Sequence, residues 1–147
     1  YTINSVNICR VSSVNDLGIR VSSSLQYREH CANIVLKAAR VKGLIFRAFT
    51  SRDLDFMVKM FVNYVRPIVE YNTEIWSPHF VEDIDRVESV QRTFTKRISG
   101  LNNLPYLERL QRCGLELLEL RRIKRDLVLV HKIINNRIRL NFDDLFV

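Results

Sequence analysis

The segment LGIRVSSSLQYREHCANIVLKAA, residues 17–39, holds the change from a strand pattern to a helix pattern that decides the fold. The sequence before it is rich in Val, Ile and Thr and is broken by Asn, Ser and Asp, which is typical of short β-strands. We predict strands near residues 6–11 and 17–22, and a further one near residues 1–4. Gly18 lies inside one of these runs, where a glycine indicates either a β-bulge or a close approach of the backbone to another group.

The sequence after residue 26 has the helical period. In the first helix, predicted from about Tyr27 to Thr50, one face is apolar and contains Ile34, Ala38, Val41, Ile45 and Phe49. Ser51 is the predicted N-cap of a second helix, which Pro67 should kink or restart because it lacks a backbone donor. Three more helices are predicted at residues 82–99, 105–113 and 117–136. The last of them carries a seam that we predict to face the core, formed by Leu120, Ile123, Leu127, Val130 and Ile134.

These patterns indicate a mainly α fold, with an N-terminal β-hairpin of two to three short strands followed by a helical bundle of about five helices. A chain of 147 residues fits about one domain. We distinguish three segments: a hairpin segment at 1–26, a first set of helices at 27–80 and a C-terminal helical region at 81–147. Gln91 falls in a buried helical stripe, and because a buried amide needs partners, we predict that it bonds to a loop backbone.

Charge is distributed unevenly along the chain. The net charge is +7 and the pI is about 9.7. Residues 1–52 carry eight basic and two acidic side chains, residues 53–91 three and eight, and residues 92–147 twelve and six. Basic ends favour a nucleic acid as partner, although the same side chains could simply solvate helix faces. The candidate phosphate contacts form three stripes: Lys37, Arg40 and Arg47; Arg92, Lys96 and Arg97; and Arg121, Arg125 and Lys132.

Several function classes find no support in the sequence. No phosphate-binding loop, nucleophile elbow or zinc-protease motif occurs, and the only adjacent aspartate pair is Asp143-Asp144, near the end of the chain. Three widely spaced cysteines indicate neither a disulfide framework nor a zinc site, and they fit a reducing interior. No run of about 18 apolar residues predicts a membrane span. We therefore expect no catalytic site, no metal and no membrane contact within this chain, and we expect the chain to be part of a longer protein.

Four blocks of sequence, in order, resemble the region that follows the catalytic palm in reverse transcriptases of LINE-type, non-LTR retrotransposons. The first is VNDLGIRVSSSLQYREHCANIVLKAARVKGLIFRAF, which matches through residues including Leu17, Gly18, His30 and Lys37. The second is YVRPIVEYNTEIWSP, with Pro67, Glu70, Tyr71 and Trp76. The third and fourth are DIDRVESVQRTFTKRISGL, with Glu88 and Gln91, and LPYLERLQRCGLELLELRRIKRDLVLVHKIIN, with Tyr106, Arg109, Arg121 and Arg122.

The resemblance implies a role for each segment. The hairpin with Leu17, Gly18 and Ile19 would be the primer grip, which holds the primer end, and the helices after it would be the thumb, which packs along an RNA–DNA or DNA template–primer duplex. The whole protein would be an RNA-directed DNA polymerase, intracellular in the nucleus or cytoplasm. Its palm and fingers, with the aspartates that would bind Mg²⁺, are not in this sequence, so this part needs no cofactor of its own. The alternatives are a helical protein-interaction module and a decayed or domesticated copy of such an element without activity.

Overall fold

The computed structural model describes residues 11–138, together with Cys9 and the strand residues 2, 3, 6 and 7. Two antiparallel hairpins come first: β1 (Thr2–Ile3) pairs with β2 (Val6–Asn7), and β3 (Ser13–Asp16) pairs with β4 (Ile19–Ser22). Helices follow in the order α1 (Arg28–Ala48), α2 (Leu54–Met60), a π-helical turn (Phe61–Val65), α3 (Arg66–Glu70), α4 (Thr73–Trp76), α5 (Val81–Thr95), α6 (Tyr106–Cys113) and α7 (Leu118–Ile134). The predicted class, mainly α after an N-terminal hairpin, is confirmed. Asp143 and Asp144 lie outside the described residues.

Gly18 lies at the tip of the second hairpin and is not a bulge. Asp16 pairs with Ile19, so Leu17 and Gly18 alone form the turn. Both have positive φ, 45° and 85°, as a type I′ hairpin turn requires. The interpretation as a bulge was therefore wrong, and the strand predicted near residues 17–22 begins two residues later, because the turn occupies positions 17 and 18.

The core of the bundle forms where α1 packs against α5. The Phe94 ring lies between Phe46 and Phe61, with ring centres 5.0 and 5.1 Å apart. The predicted apolar face of α1 is buried at Ile34, Ala38 and Ile45, whereas Phe49 is exposed beyond the end of the helix. Because this contact joins distant parts of the chain, α1 holds the hairpin segment on the same core as the C-terminal helices.

Pro67 is accommodated by a π-helical turn. The path from α2 to α3 stays helical, and the wider turn at Phe61–Val65 precedes the proline, which lacks a backbone donor. In place of a break, the predicted kink or restart at Pro67 is a π-helical turn followed by a new α-helix, α3. The N-cap of α2 is Asp53, whose carboxylate accepts from the Phe56 N–H at 3.2 Å, and not Ser51 as predicted.

A buried polar network joins the last three helices. One Glu88 carboxylate oxygen accepts from the backbone N–H of Leu118 at 2.9 Å and so caps α7, while the other accepts from the Tyr106 hydroxyl. Gln91 donates to the Glu116 backbone carbonyl at 2.9 Å, which confirms the predicted bond to a loop. Arg109, also buried, donates to the carbonyl of Arg92 at the end of α5 at 3.1 Å. Four residues through which the chain resembles the reverse transcriptases therefore have structural roles, namely Glu88, Gln91, Tyr106 and Arg109.

The apolar seam of α7 does not face the core as predicted. The side chains that the helix buries are Leu118, Arg122 and Ile133, on a side about a third of a turn away from the seam. Four members of the predicted seam are exposed, namely Leu120, Ile123, Leu127 and Ile134, and Val130 is half-buried. The reason for the difference is that Arg121 and Arg125 bond to the α3–α4 region, which fixes the rotation of the helix about its axis.

Candidate nucleic-acid interface

The hairpin β3–β4 is anchored to the bundle at three points. Ile19 is buried in the core, with 3% of its surface exposed. The backbone N–H of Arg20 donates to Nδ1 of His30 on α1 at 3.1 Å. The Tyr71 hydroxyl donates to the Leu17 carbonyl at 3.3 Å. A two-stranded hairpin is marginal alone, so these contacts fix the position of its turn.

His30 and Trp76 support these anchors from behind. The His30 ring packs edge-on against the fully buried Trp76, with ring centres 5.0 Å apart. Trp76 in turn donates from Nε1 to the Tyr71 carbonyl at 2.7 Å. Burial, and after it the charge of Lys37, lowers the pKa of His30, which keeps its imidazole neutral and able to accept at Nδ1. Residues from the first two blocks of the resemblance thus meet in one assembly.

A cleft lies between the hairpin and α1. We call it the hairpin cleft and define it by Asn15, Gly18, Arg20, Asn33, Lys37 and Arg40, which line about 180 Å³. A second hollow of about 320 Å³ shares Gly18 and Lys37 and extends to Tyr71. The turn residue Gly18 and the cations Lys37 and Arg40, predicted separately from the sequence, are therefore brought together.

The basic stripe of α1 leads away from this cleft. Lys37, Arg40 and Arg47 are all exposed on the helix. Lys37 and Arg47 are ten residues apart, or about 15 Å along the axis at 1.5 Å per residue. Since phosphates of one duplex strand recur about every 3.4 Å of axis, the stripe is long enough to follow about four of them.

The second stripe, formed by Arg92 on α5 and by Lys96 and Arg97 just beyond its end, only partly joins the stripe of α1. Arg97 stacks on the Phe46 ring of α1 at 3.9 Å, and Arg92 pairs with Asp85 at 3.2 Å. Lys42 of α1 donates to Thr93 of α5 at 2.7 Å, and burial, followed by the Arg97 charge, lowers the pKa of Lys42. Two cations thus lie close together at the α1–α5 contact. Lys96 is exposed.

Arg121 and Arg125 bond within the protein. Arg121 donates to both carboxylate oxygens of the buried Glu70, one of them at 3.1 Å, and this bond raises the pKa of Arg121. Arg125 donates to the Glu70 carbonyl at 2.6 Å and lies 3.7 Å from a Glu74 oxygen. These cations tie α7 to α3 and α4, and the geometry gives no support to their predicted nucleic-acid role, which stays a prediction.

The three residues that the resemblance assigns to a primer grip occupy different environments. Leu17 is 79% exposed at the tip, Gly18 lines the hairpin cleft, and Ile19 is buried. Sequence reasoning missed Asn15 and Arg20 as lining residues. They are directly paired across the hairpin, so they share one face of it, and the register would have placed them together had the two-residue turn been recognised.

Neither a metal site nor a membrane span is found among the residues that the structure describes. Within residues 11–138 and the few described before them, no group of three His, Cys, Asp or Glu side chains could hold an ion. None of the helices in this part is long and apolar enough to cross a bilayer.

Comparison with known proteins gives a weak match. The chain is 24% identical over 127 residues to an uncharacterized protein of Caenorhabditis elegans, B0403.1, in a match that covers 84% of this chain and 64% of that protein. The chain thus spans less than two thirds of the length of this curated relative. No family model matches the chain, and no solved structure is significantly similar to it.

Proposed function

We propose that this chain binds a template–primer duplex through the hairpin cleft and the α1 stripe, as the primer grip and thumb of an RNA-directed DNA polymerase of the non-LTR retrotransposon type. The observation that carries the proposal is that Gly18, Lys37 and Arg40 line one cleft. The turn would contact the primer end, and the cations would contact phosphates. Such contacts position a duplex without reading its sequence.

The turn itself supports a binding role. Leu17 has a positive φ of 45° and is 79% exposed. Both features are unfavourable for a leucine, since asparagine or glycine suits this conformation and a polar side chain suits water. A local conformation that costs free energy often marks a functional position. Leu17 thus fits an apolar contact with a sugar or base at the primer end.

In this proposal the chain contributes binding, and the chemistry belongs to the palm and fingers of the same polypeptide. Those parts would carry the acidic residues for Mg²⁺, and the complete enzyme would work inside the cell. A decayed copy, the alternative, would keep the fold and would lose its affinity for a duplex. Duplex affinity therefore separates the proposal from this alternative.

The test is a titration of a fluorescent RNA–DNA hybrid at several salt concentrations. For a protein that neutralises two to three phosphates, we expect log K to fall with log salt with a slope of about −2 to −3, at about 0.9 per phosphate. Affinity should be the same for hybrids of unrelated sequence. Absence of binding at low salt, or binding that is independent of salt, would overturn the proposal.

Charge-reversal variants locate the surface. Lys37→Glu with Arg40→Glu should weaken binding at least tenfold for all sequences alike. The matched control is Lys59→Glu with Arg137→Glu, two exposed cations outside the three stripes that give the same change in net charge. Circular dichroism verifies folding of both variants. Equal losses of affinity in the two variants would show a diffuse charge effect and would contradict the hairpin cleft as the site.

A further inference from the structure

The exposed side of α7 carries apolar residues at a regular spacing. Its apolar residues are Leu120, Ile123, Leu127, Val130 and Ile134, spaced by three and four positions in turn. This is the a and d spacing of a coiled coil, in which two helices pack along a narrow apolar seam. Exposed fractions reach 49% at Ile123, 64% at Leu127 and 57% at Ile134. We call these five residues the α7 seam.

The seam lies about a third of a turn around α7 from the side that the protein itself buries, and Val130 at its edge is half-buried. Leu118, Arg122 and Ile133 pack inward, so the helix already has its intramolecular partners. A surface helix needs a single apolar face to fold onto its own core. A second face with coiled-coil spacing therefore indicates a second helix as partner.

The charges beside the seam select that partner. With Leu120 and Leu127 at a positions, Glu119 and Asp126 fall at g, and Lys124 and His131 fall at e. In a parallel pair of identical helices, g of one copy lies beside the following e of the other, which brings Glu119 beside Lys124 and Asp126 beside His131. An antiparallel pair would instead bring Glu119 beside Asp126, two like charges. Lys124 already bonds to Glu116 of its own chain, so Glu119 of the second copy would join this ion pair. The flanking charges are thus self-complementary only in the parallel arrangement.

We propose that a second copy of this chain covers the α7 seam, forming a parallel, two-fold symmetric dimer along α7. Each copy presents the same surface to the other, as a two-fold interface requires. Beyond the start of α7 the seam continues into a groove lined by leucines, among them Leu107, Leu115 and Leu120, together with Glu108, Gln111 and Glu116. The helix has only 17 residues, so the interface falls at the small end, below about 1,200 Å² of buried surface, and the dimer dissociates on dilution. This inference does not rest on the proposed function.

Sedimentation velocity of the whole 147-residue chain, from micromolar to submillimolar concentration, tests the dimer. Leu127→Glu should weaken dimerisation at least tenfold. The control is Val128→Glu, which puts the same charge on the neighbouring residue, 53% exposed but outside the seam. A wild-type chain that stays monomeric throughout, or equal effects of the two variants, would overturn the proposal.

Charge swaps test the orientation. Glu119→Lys should weaken a parallel dimer, because it brings two lysines together, and adding Lys124→Glu should restore it. In an antiparallel dimer, Glu119→Lys would strengthen association by pairing with Asp126, and this result would overturn the parallel arrangement.

A cross-link gives a second readout of the orientation. Leu127→Cys in a Cys9→Ser background should form an intermolecular disulfide, because a positions face each other only in the parallel pair. The remaining thiols are buried, and burial raises the pKa of Cys31 to about 11, so they should not compete. Failure of the Leu127→Cys variant to cross-link at concentrations where the dimer forms would contradict the model of a parallel seam.

Discussion

The Tyr71 hydroxyl donates to the Leu17 carbonyl, joining the tip of the hairpin to the residue that ends α3. The bond is 3.3 Å long and is the outermost of the three anchors of the turn. Tyr71 itself is 52% exposed, so its role lies in this bond and in the carbonyl that it offers to Trp76. The position of the proposed primer grip thus depends on a residue of a different sequence block.

Tyr71→Phe should loosen the turn while the core stays intact. Loss of one hydrogen bond at an exposed site is expected to lower the free energy of unfolding by about 0.5–1 kcal/mol. Denaturation with urea, followed through Trp76 fluorescence, measures this. Tyr64→Phe is the control, since that tyrosine is similarly exposed and has no hydrogen-bond partner for its hydroxyl among the residues described. Equal effects of the two changes would show that the bond to Leu17 contributes nothing.

Leu17→Asn should separate stability from binding. Asparagine tolerates the positive φ of 45° better than leucine, and it removes an exposed apolar side chain, so we expect a gain of about 0.5–1 kcal/mol in stability. Duplex affinity should fall at the same time if the tip contacts the primer. Thermal denaturation and hybrid titration measure the two effects. A variant that is more stable and binds unchanged would remove Leu17 from the interface.

Gly18→Ala and Gly43→Ala should have opposite effects. An alanine at Gly18 must hold a φ of 85°, which costs about 1 kcal/mol, although its Cβ would lie 3.9 Å from the Tyr71 ring and would not clash. Gly43 lies inside α1 with nothing within 4 Å of a new Cβ, so alanine there should stabilise by about 0.5–1 kcal/mol. Urea midpoints of the two variants measure the contrast, and a shared sign would contradict the assigned turn.

Stability should fall as the pH drops below about 6.5. Burial first, and the Lys37 charge second, lowers the pKa of His30 in the folded state, whereas an unfolded histidine titrates near 6.5. The unfolded chain therefore binds this proton more readily, so the stabilisation is complete above that pH and is lost progressively until the pH passes the lowered pKa of the folded state. Unfolding at about pH 7.5 and about pH 5.5 measures it. His30→Gln should reduce this dependence, and the exposed His79→Gln should retain it.

Glu70→Gln should destabilise the protein through Arg121. The carboxylate is buried and holds both Arg121 donors, so its loss leaves a cation without its partner, at an expected cost of about 2–4 kcal/mol. Glu74→Gln is the matched control, because Glu74 lies 3.7 Å from Arg125 at the surface, where an ion pair contributes at most about 1 kcal/mol. Thermal denaturation compares the two. A loss of duplex affinity without a loss of stability in Glu70→Gln would instead point to a binding role for Arg121.

The sequence was sufficient to predict where the helices lie, and insufficient to predict which side of each helix faces the core. Periodicity placed α1 within two residues at each end, because its apolar positions recur over many turns. The same criterion misassigned α7, whose longest apolar seam is exposed, since periodicity identifies a face without identifying what covers it. The bond from Arg121 to Glu70 helps to determine which side of α7 faces the core. The two residues are 51 positions apart, and no local sequence pattern reveals such a pairing. Lys37 and Arg40 were found from spacing, but their place beside Gly18 needed the register of the hairpin.

The anchoring of the hairpin also sets an order of events in folding. Leu17 and Tyr71 are 54 positions apart, so the turn lacks this support until α1 to α3 have assembled. A short hairpin gains little from its own pairing, and closing so long a loop costs entropy before any contact forms. We therefore expect the N-terminal strands to be the last part of the domain to order, both on refolding and during synthesis. The segment proposed to hold the primer would then become ordered only in chains whose remaining helices have already folded.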